Sequence, residues 1–195
     1  TLAALRSARA AGQKIAAVSP RPQTTRKKQL GILTLENAQL VFVDTPGLHK
    51  AKHKLGEFLN EEAKEALDGM DLILWLVDAS TPPTEEDLNI SSLLADISPR
   101  TPLMLALNKM DMVKPDDESA RVEAYTQLIN ATTVMKISAA KRHGIGELLE
   151  ALIQASPERE ADYPEDQITD LYEKEIAGDL IREACLIQLR EEVPH

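Results

Sequence analysis

The sequence lacks the usual signs of an extracellular, membrane-spanning or strongly basic protein. Its single cysteine, Cys185, excludes an internal disulfide and fits a reducing compartment. The longest apolar runs fall far short of the roughly 20 residues that a membrane-spanning helix needs, and no segment resembles a signal peptide. Positive charge is outnumbered, with 22 Lys and Arg against 32 Asp and Glu, so the chain as a whole is a poor ligand for polyanions. We expect a protein of the cytoplasm.

What is present is an alternation of apolar strands and helices. The near-continuous apolar runs 71–78 and 101–107 predict strands buried on both faces. The other expected strands are 28–35, 39–44 and 133–137, and the expected helices are 2–11, 55–67, one starting at Thr84, 119–130 and 145–155. This alternation predicts an α/β domain with a mostly parallel sheet flanked by helices.

The last forty residues have a different character. Residues 156–166 are acidic, contain two prolines and are typical of a linker, and an amphipathic helix is expected over 168–192. One helix cannot bury its own apolar face. We therefore expect residues 168–195 to be the start of a second, incomplete domain.

A polar block, Asn108-Lys109-Met110-Asp111, directly follows the strand predicted to end at Leu107. Ligands of open α/β sheets bind at the carboxyl ends of strands. The Asp111 carboxylate can accept hydrogen bonds from the ring N–H and the exocyclic amine of guanine, and leaving such bonds unmade costs about 3 kcal/mol or more. Asn108 can tie neighbouring loops together, and the Lys109 stem can cover the base. Alone, the block is equally consistent with a surface turn.

A second block, Asp44-Thr45-Pro46-Gly47, also ends a predicted strand. Asp44 can reach a Mg²⁺ ion directly or through water, and the Gly47 N–H can face a γ-phosphate without side-chain obstruction. Taken by itself, this block is an ordinary Pro-Gly turn.

Two weaker segments add to these blocks. Ser138-Ala139-Ala140 follows the third predicted strand and would place backbone N–H groups near the guanine oxygen. Thr25 lies in a polar, Pro-containing loop and can complete a Mg²⁺ shell when a triphosphate is bound.

The order and spacing of the four segments match the translation-factor-like GTPases. Within that class the sequence resembles the Era family across essentially its whole length. The segments that carry the resemblance are 12–19, 22–26, 42–49, 163–170 and 190–195.

The resemblance implies GTP hydrolysis with GTP or GDP and Mg²⁺ as ligands. It implies binding to small-subunit ribosomal RNA during 30S maturation, through a KH domain that begins at 168, and a monomer that can associate peripherally with the inner face of the cell membrane. Thr25 and Asp44 would hold the metal, and Thr25, Gly47 and Leu48 would form the catalytic centre. Leu48 stands where Ras-like enzymes place a water-orienting Gln, so slow turnover is expected. The nucleotide would contact Asp44, Thr45, Pro46, Gly47, Asn108, Lys109, Asp111, Ser138, Ala139 and Ala140.

The sequence departs from the family at both ends. No G-x-x-x-x-G-K-[ST] segment occurs, and Thr1-Leu2 matches the residues that follow this phosphate-binding loop in the family. At the other end, His195 precedes the Gly-x-x-Gly loop of KH domains. We therefore expect a fragment with a GTP-binding domain at 1–156, a linker at 157–167 and an incomplete KH domain at 168–195, which binds GTP weakly by itself.

One alternative stays open: a degenerate, non-hydrolysing GTPase-like module that serves only as a binding platform. The sequence upstream of Thr1 would separate the two, since a strand followed by the phosphate-binding motif favours the enzyme.

Overall fold

The computed structural model describes residues 29–44, 67, 69–97, 101–165 and 167. They fall into two compact units. The hairpin unit contains residues 29–44 together with the described residues from 159 onward, and the sheet unit contains the described residues from 67 to 158. Among the described residues, no helix combines the length and apolar character needed to cross a bilayer.

The sheet unit is built on three parallel strands in the order β3-β4-β5. These strands are β3 (Ile73–Asp78), β4 (Leu103–Asn108) and β5 (Thr133–Lys136). Five consecutive β4 residues, from Leu103 to Leu107, are buried, as expected for a strand with a neighbour on each side. In β3, by contrast, Leu74 and Leu76 are only half-buried, so the prediction of burial on both faces holds for β4 alone.

Helices connect the strands, as parallel pairing requires. They are α1 (Glu85–Ile97), α2 (Pro115–Thr126) and α3 (Ile145–Ala155), with a 3₁₀ turn at Met110–Met112. The predicted start of α1 is confirmed: Thr84 Oγ1 and the Asp87 carboxylate exchange hydrogen bonds with each other's backbone N–H, which is a capping box. The prediction that α2 begins at 119 is wrong, because Pro115 occupies the first helical turn, where its missing N–H costs nothing.

The core of the sheet unit lies between β3, β4 and helices α1 and α2. It consists of Ile73, Trp75, Val77, Ala79, Leu94, Leu103, Leu105, Leu107 and Tyr125. Trp75 is 7% exposed and packs within this core. The α/β class and the parallel sheet predicted from the apolar runs are thereby confirmed.

The hairpin unit contains β1 (Gln29–Thr34) and β2 (Gln39–Asp44), paired antiparallel from Gln29–Asp44 at the open end to Thr34–Gln39 at the turn. The side chain of Gln39 fastens a segment that follows residue 158 to this hairpin. Gln39 Nε2 donates to the Tyr163 carbonyl at 2.9 Å, and Gln39 Oε1 accepts from the Tyr163 N–H at 3.0 Å. The carboxamide therefore satisfies both backbone groups of a single residue. The expected helices 2–11, 55–67 and 168–192 lie essentially outside the described residues, and the domain bounds stay a prediction.

Candidate functional site

The carboxyl ends of the three parallel strands are joined at one edge of the sheet. Asp78 at the end of β3 pairs in register with Asn108 at the end of β4, and the Ala79 N–H donates to the Asn108 carbonyl at 2.9 Å. Beyond β5, Ile137 donates to the Leu107 carbonyl at 2.8 Å and accepts from the Met110 N–H at 3.2 Å. Residues from all three strand ends therefore share one hydrogen-bonded edge.

Asn108 links two of the loops that follow the strands. Its side-chain Oδ1 accepts a hydrogen bond from the Ala139 N–H at 3.0 Å, across 31 residues of sequence. Since Ala139 is buried and Asn108 half-buried, this bond is partly shielded from water. The loop after β4 and the loop after β5 are thus held at a fixed spacing.

Asp111 is presented by the 3₁₀ turn that follows β4 directly. The side chain is exposed, and no described residue donates a hydrogen bond to its carboxylate. The turn itself is closed by hydrogen bonds from the Met112 N–H to the Lys109 carbonyl at 2.9 Å and from the Val113 N–H to the Met110 carbonyl at 3.1 Å. A free carboxylate therefore stands on a short, ordered support beside the strand ends.

The loop after β5 is folded by its own hydrogen bonds. Ser138, only 2% exposed, exchanges two backbone hydrogen bonds with His143, and its Oγ accepts from the Lys141 N–H at 3.1 Å. The Ser138 and Ala139 N–H groups are both hydrogen-bonded, to His143 and to Asn108. The Ala140 N–H, by contrast, has no acceptor among the described residues.

Gly144 closes this loop in a left-handed conformation, with φ of 72°. A Cβ at this position would lie 2.5 Å from the Lys136 carbonyl oxygen. Glycine is therefore required both by the dihedral angle and by the close approach of the β5 backbone.

Lys109 adds an ion pair that no local sequence pattern predicts. It is one of two non-glycine residues with positive φ among the described ones, at φ 63° and ψ 29°. Its Nζ lies 2.5 Å from Oδ2 of Asp78. The Asp78 Oδ1 accepts from the Ser80 N–H at 3.0 Å and from the Ser80 hydroxyl at 2.6 Å.

The environment of Asp78 keeps its carboxylate ionised. Partial burial raises the pKa of Asp78, but the hydrogen bonds from Lys109 and Ser80 outweigh it and hold the pKa below the usual 3.8. Behind it, the buried Tyr125 hydroxyl donates to the Asp78 carbonyl at 2.9 Å, and burial raises the pKa of Tyr125 to about 12. Asp78 was detectable from sequence only as the polar end of an apolar strand, whereas its partners Lys109 and Tyr125 lie 31 and 47 residues away.

The side chains of the other predicted site residues are not described by the structure. Asp44 is the last residue of β2, and its side chain is not described. Thr25, Thr45, Pro46, Gly47 and Leu48 lie outside the described residues. Within the described ranges no group of three acidic, His or Cys side chains is arranged to hold a metal. Because the side chains of Thr25 and Asp44 are not described, their role as magnesium ligands stays a prediction.

Comparison with known proteins decides the family. A family model described as 50S ribosome-binding GTPase matches residues 6–109, just over half of the chain. GTPase Era of Ruminiclostridium cellulolyticum is 43% identical over 184 residues, which are 94% of this chain and 61% of that protein. The chain belongs to the Era family of GTPases. It spans less than two thirds of the length of this Era relative.

Solved Era structures have the same fold. A crystal structure of Era in complex with MgGDPNP and nucleotides 1506–1542 of 16S ribosomal RNA has a TM-score of 0.84 and 32% identity, over 98% of this chain and 64% of that one. A structure of Aquifex aeolicus Era Y63A bound to GDP and AlF4⁻ has a TM-score of 0.83 and 31% identity, over 99% of this chain and 65% of that one. The P-loop GTPase fold expected from the sequence is therefore confirmed for this Era-family chain.

Proposed function

We propose that this chain provides the guanine-recognition part of a GTP site and that the protein is a GTPase. The observation that carries the proposal is the hydrogen bond from the Ala139 N–H to Asn108 Oδ1 at 3.0 Å. This bond sets two loops side by side. In these loops the Asp111 carboxylate and the Ala140 N–H have no hydrogen-bond partners among the described residues. One anionic acceptor and one neutral donor are complementary to the edge of guanine, which has two N–H donors and one carbonyl.

Adenine fits this pair of groups poorly. It has no ring N–H and no carbonyl on the corresponding edge, so the Asp111 carboxylate would lose its water without gaining a bond. Hydrogen bonds to charged groups contribute about 1.5–3 kcal/mol each, and every 1.4 kcal/mol is a factor of about ten in affinity. Two such bonds account for a preference of roughly a hundredfold or more for guanine over adenine.

The phosphate side of the site is proposed from the family resemblance. Asp44 and Thr25 would hold Mg²⁺, which neutralises charge on the phosphates when bound. Thr45, Pro46 and Gly47 would border the γ-phosphate, with the Gly47 N–H as donor. Leu48 offers no group that can orient water, which favours slow intrinsic hydrolysis.

We propose the small ribosomal subunit as the partner, with a role in 30S maturation. The support is the Era structure solved with nucleotides 1506–1542 of 16S ribosomal RNA. The net charge of −10 argues that RNA is bound through a local basic surface, for which the KH domain expected from 168 onward is the candidate. We further propose a monomer in the cytoplasm, with peripheral association at the inner membrane face as an extension.

The base-recognition role is tested by exchanging the base that is preferred. Xanthine has a carbonyl where guanine has the exocyclic amine, so an amide in place of the carboxylate can donate to it. Asp111→Asn, made in the complete gene product that contains these residues, should weaken GDP binding about a hundredfold and strengthen xanthosine diphosphate binding. Fluorescent-nucleotide competition gives both affinities.

Asp116→Asn is the matched control, because Asp116 is also exposed and lies in the first turn of α2. It should leave the GDP to xanthosine diphosphate ratio unchanged. An unchanged ratio in Asp111→Asn would remove Asp111 from base recognition. The non-hydrolysing alternative is tested separately: a protein that binds GDP with guanine selectivity and releases no phosphate from GTP would be a binding module.

A further inference from the structure

The ion pair between Lys109 and Asp78 is not explained by recognition of the base edge. Both side chains are about half exposed, at 48% and 47%. An isolated pair at this exposure adds little to folding stability, because water screens it and two side chains must be immobilised. The pair therefore calls for a role other than holding the fold together.

The position of the Asp78 carboxylate is held by hydrogen bonds that do not involve Lys109. Two hydrogen bonds from Ser80, at 3.0 and 2.6 Å, occupy its Oδ1 and orient the carboxylate so that Oδ2 is left for the lysine. The main chain is held as well, by the Tyr125 hydroxyl on the Asp78 carbonyl at 2.9 Å and by the Ala79 N–H on the Asn108 carbonyl. The acceptor is thus preorganised on β3, one strand away from the residue that it binds.

Lys109 is fixed at its other end by the backbone. It stands between Asn108, the last residue of β4, and the 3₁₀ turn that carries Asp111, in a left-handed conformation that a non-glycine residue adopts only where its surroundings require it. Its Cα lies after β4 and its Nζ is bound at the end of β3, so the four-carbon stem spans the two strand ends. A free lysine side chain would instead sample many rotamers.

We propose that Asp78 is a positioning residue for nucleotide binding, which holds Lys109 so that its stem forms a ready-made surface for the face of the base. This role rests on the proposed guanine site. The benefit is entropic, because the side chain does not have to be immobilised when the nucleotide arrives. Removing the anchor should therefore weaken binding about three- to tenfold and leave base selectivity intact, since the stem contacts the face and not the edge.

The test is a double-mutant cycle on GDP affinity and dissociation rate, in the complete gene product that contains these residues. Asp78→Asn should weaken GDP three- to tenfold. Lys109→Met keeps an unbranched apolar chain and removes the charge, so that adding Asp78→Asn to it should change the affinity by less than about 1.5-fold. If Asp78 mattered only for local folding, its substitution would cost as much in the Lys109→Met background as alone, and the positioning role would be overturned.

The matched control is Glu118→Gln. Glu118 pairs with Lys136 at 2.8 Å, with side-chain exposures of 43% and 55%, so it removes an equally exposed ion pair of the same unit. It should leave GDP affinity unchanged. A protein that binds no guanine nucleotide overturns both the proposed function and this role. A protein that binds GDP normally in both wild type and Asp78→Asn overturns the positioning role alone.

Discussion

Strand β4 of the sheet unit has five consecutive buried residues, whereas among the described residues of the hairpin only Ile32 and Leu40 are buried. The sheet unit relies on apolar contact from two sides, together with side-chain bonds that fasten its strand ends. Among the described residues, the hairpin is held by its own ladder and by the carboxamide of Gln39. In the part of the chain that the structure describes, burial thus dominates in the sheet unit and polar bonds are more prominent in the hairpin. Substitutions in both units test that contrast.

The largest effect is expected in the middle of β4. Leu105 is fully buried, so Leu105→Ala removes apolar contact and leaves a cavity, at a cost of about 3 kcal/mol. Leu33→Ala in the hairpin, where the side chain is only half-buried, should cost about 1 kcal/mol. Urea unfolding of both variants measures the difference. Equal losses would show that the two units are not stabilised differently.

Next comes a backbone test within the sheet unit. Gly144→Ala should cost about 2 kcal/mol, because a left-handed alanine is strained and its Cβ would approach the Lys136 oxygen. Gly69 has nearly the same φ, 73°, but a Cβ added there would meet nothing within 4 Å, so Gly69→Ala should cost about 1 kcal/mol. Thermal unfolding compares the two. A cost at Gly69 as large as at Gly144 would assign the whole penalty to the dihedral angle.

Tyr125→Phe should destabilise the sheet unit by about 1–2 kcal/mol, since the Asp78 carbonyl loses its buried donor. In the hairpin unit, Tyr163→Phe should have almost no effect, because the bonds with Gln39 use only the backbone of Tyr163. Chemical denaturation of the two variants provides the measurement. A similar loss at both positions would mean that the Tyr163 hydroxyl has a structural role.

Gln39→Leu should destabilise the hairpin unit by about 1 kcal/mol through the loss of its hydrogen bonds to Thr34 and Tyr163. Amide exchange at Tyr163 should accelerate, while exchange in β4 stays unchanged. Gln127→Leu is the control, because Gln127 is exposed and its side chain bonds to Glu123 one helical turn away. Faster exchange in β4 as well would contradict separate stabilisation of the two units.

The smallest effect concerns pH. Because the folded pKa of Asp78 lies below 3.8, its ion pair contributes stability that is present above pH 3.8 and lost as the pH falls through the lowered value. Between pH 5 and 7 Asp78 should add no pH dependence. Carboxyl NMR titration gives the midpoint directly, and Lys109→Met should move it upward. A midpoint above 3.8 in the unmodified chain would contradict the pairing.

Local patterns are sufficient to predict most of the described fold. The apolar run before Asn108 identifies β4, and the Thr84 and Asp87 pair marks the start of α1. The start of α2 is harder to place because the polar residues after Pro115 show no apolar periodicity, so that the proline and the acidic residues after it are the signals. The half-exposed face of β3 is also not predictable, since a run of apolar residues does not tell what packs on each face of the strand.

For the site, sequence order identifies the loops but not the contacts between them. The Asn108 tie to a neighbouring loop is expected as a role, whereas its partner Ala139 requires the relative position of β4 and β5. The Asp78–Lys109 pair depends on register across two strands and on a left-handed residue, neither of which has a local signature. Contacts that are made across the sheet are therefore the part that the sequence alone does not predict.

The way in which Gln39 holds Tyr163 has a consequence for how this segment can change in evolution. Its carboxamide contacts one N–H and one carbonyl, and every amino acid except proline carries both. The attachment by itself therefore imposes almost no choice of residue at position 163, since any residue but proline would retain the same connection. The requirement falls entirely on position 39, where only a glutamine or a side chain of similar reach with both a donor and an acceptor would serve.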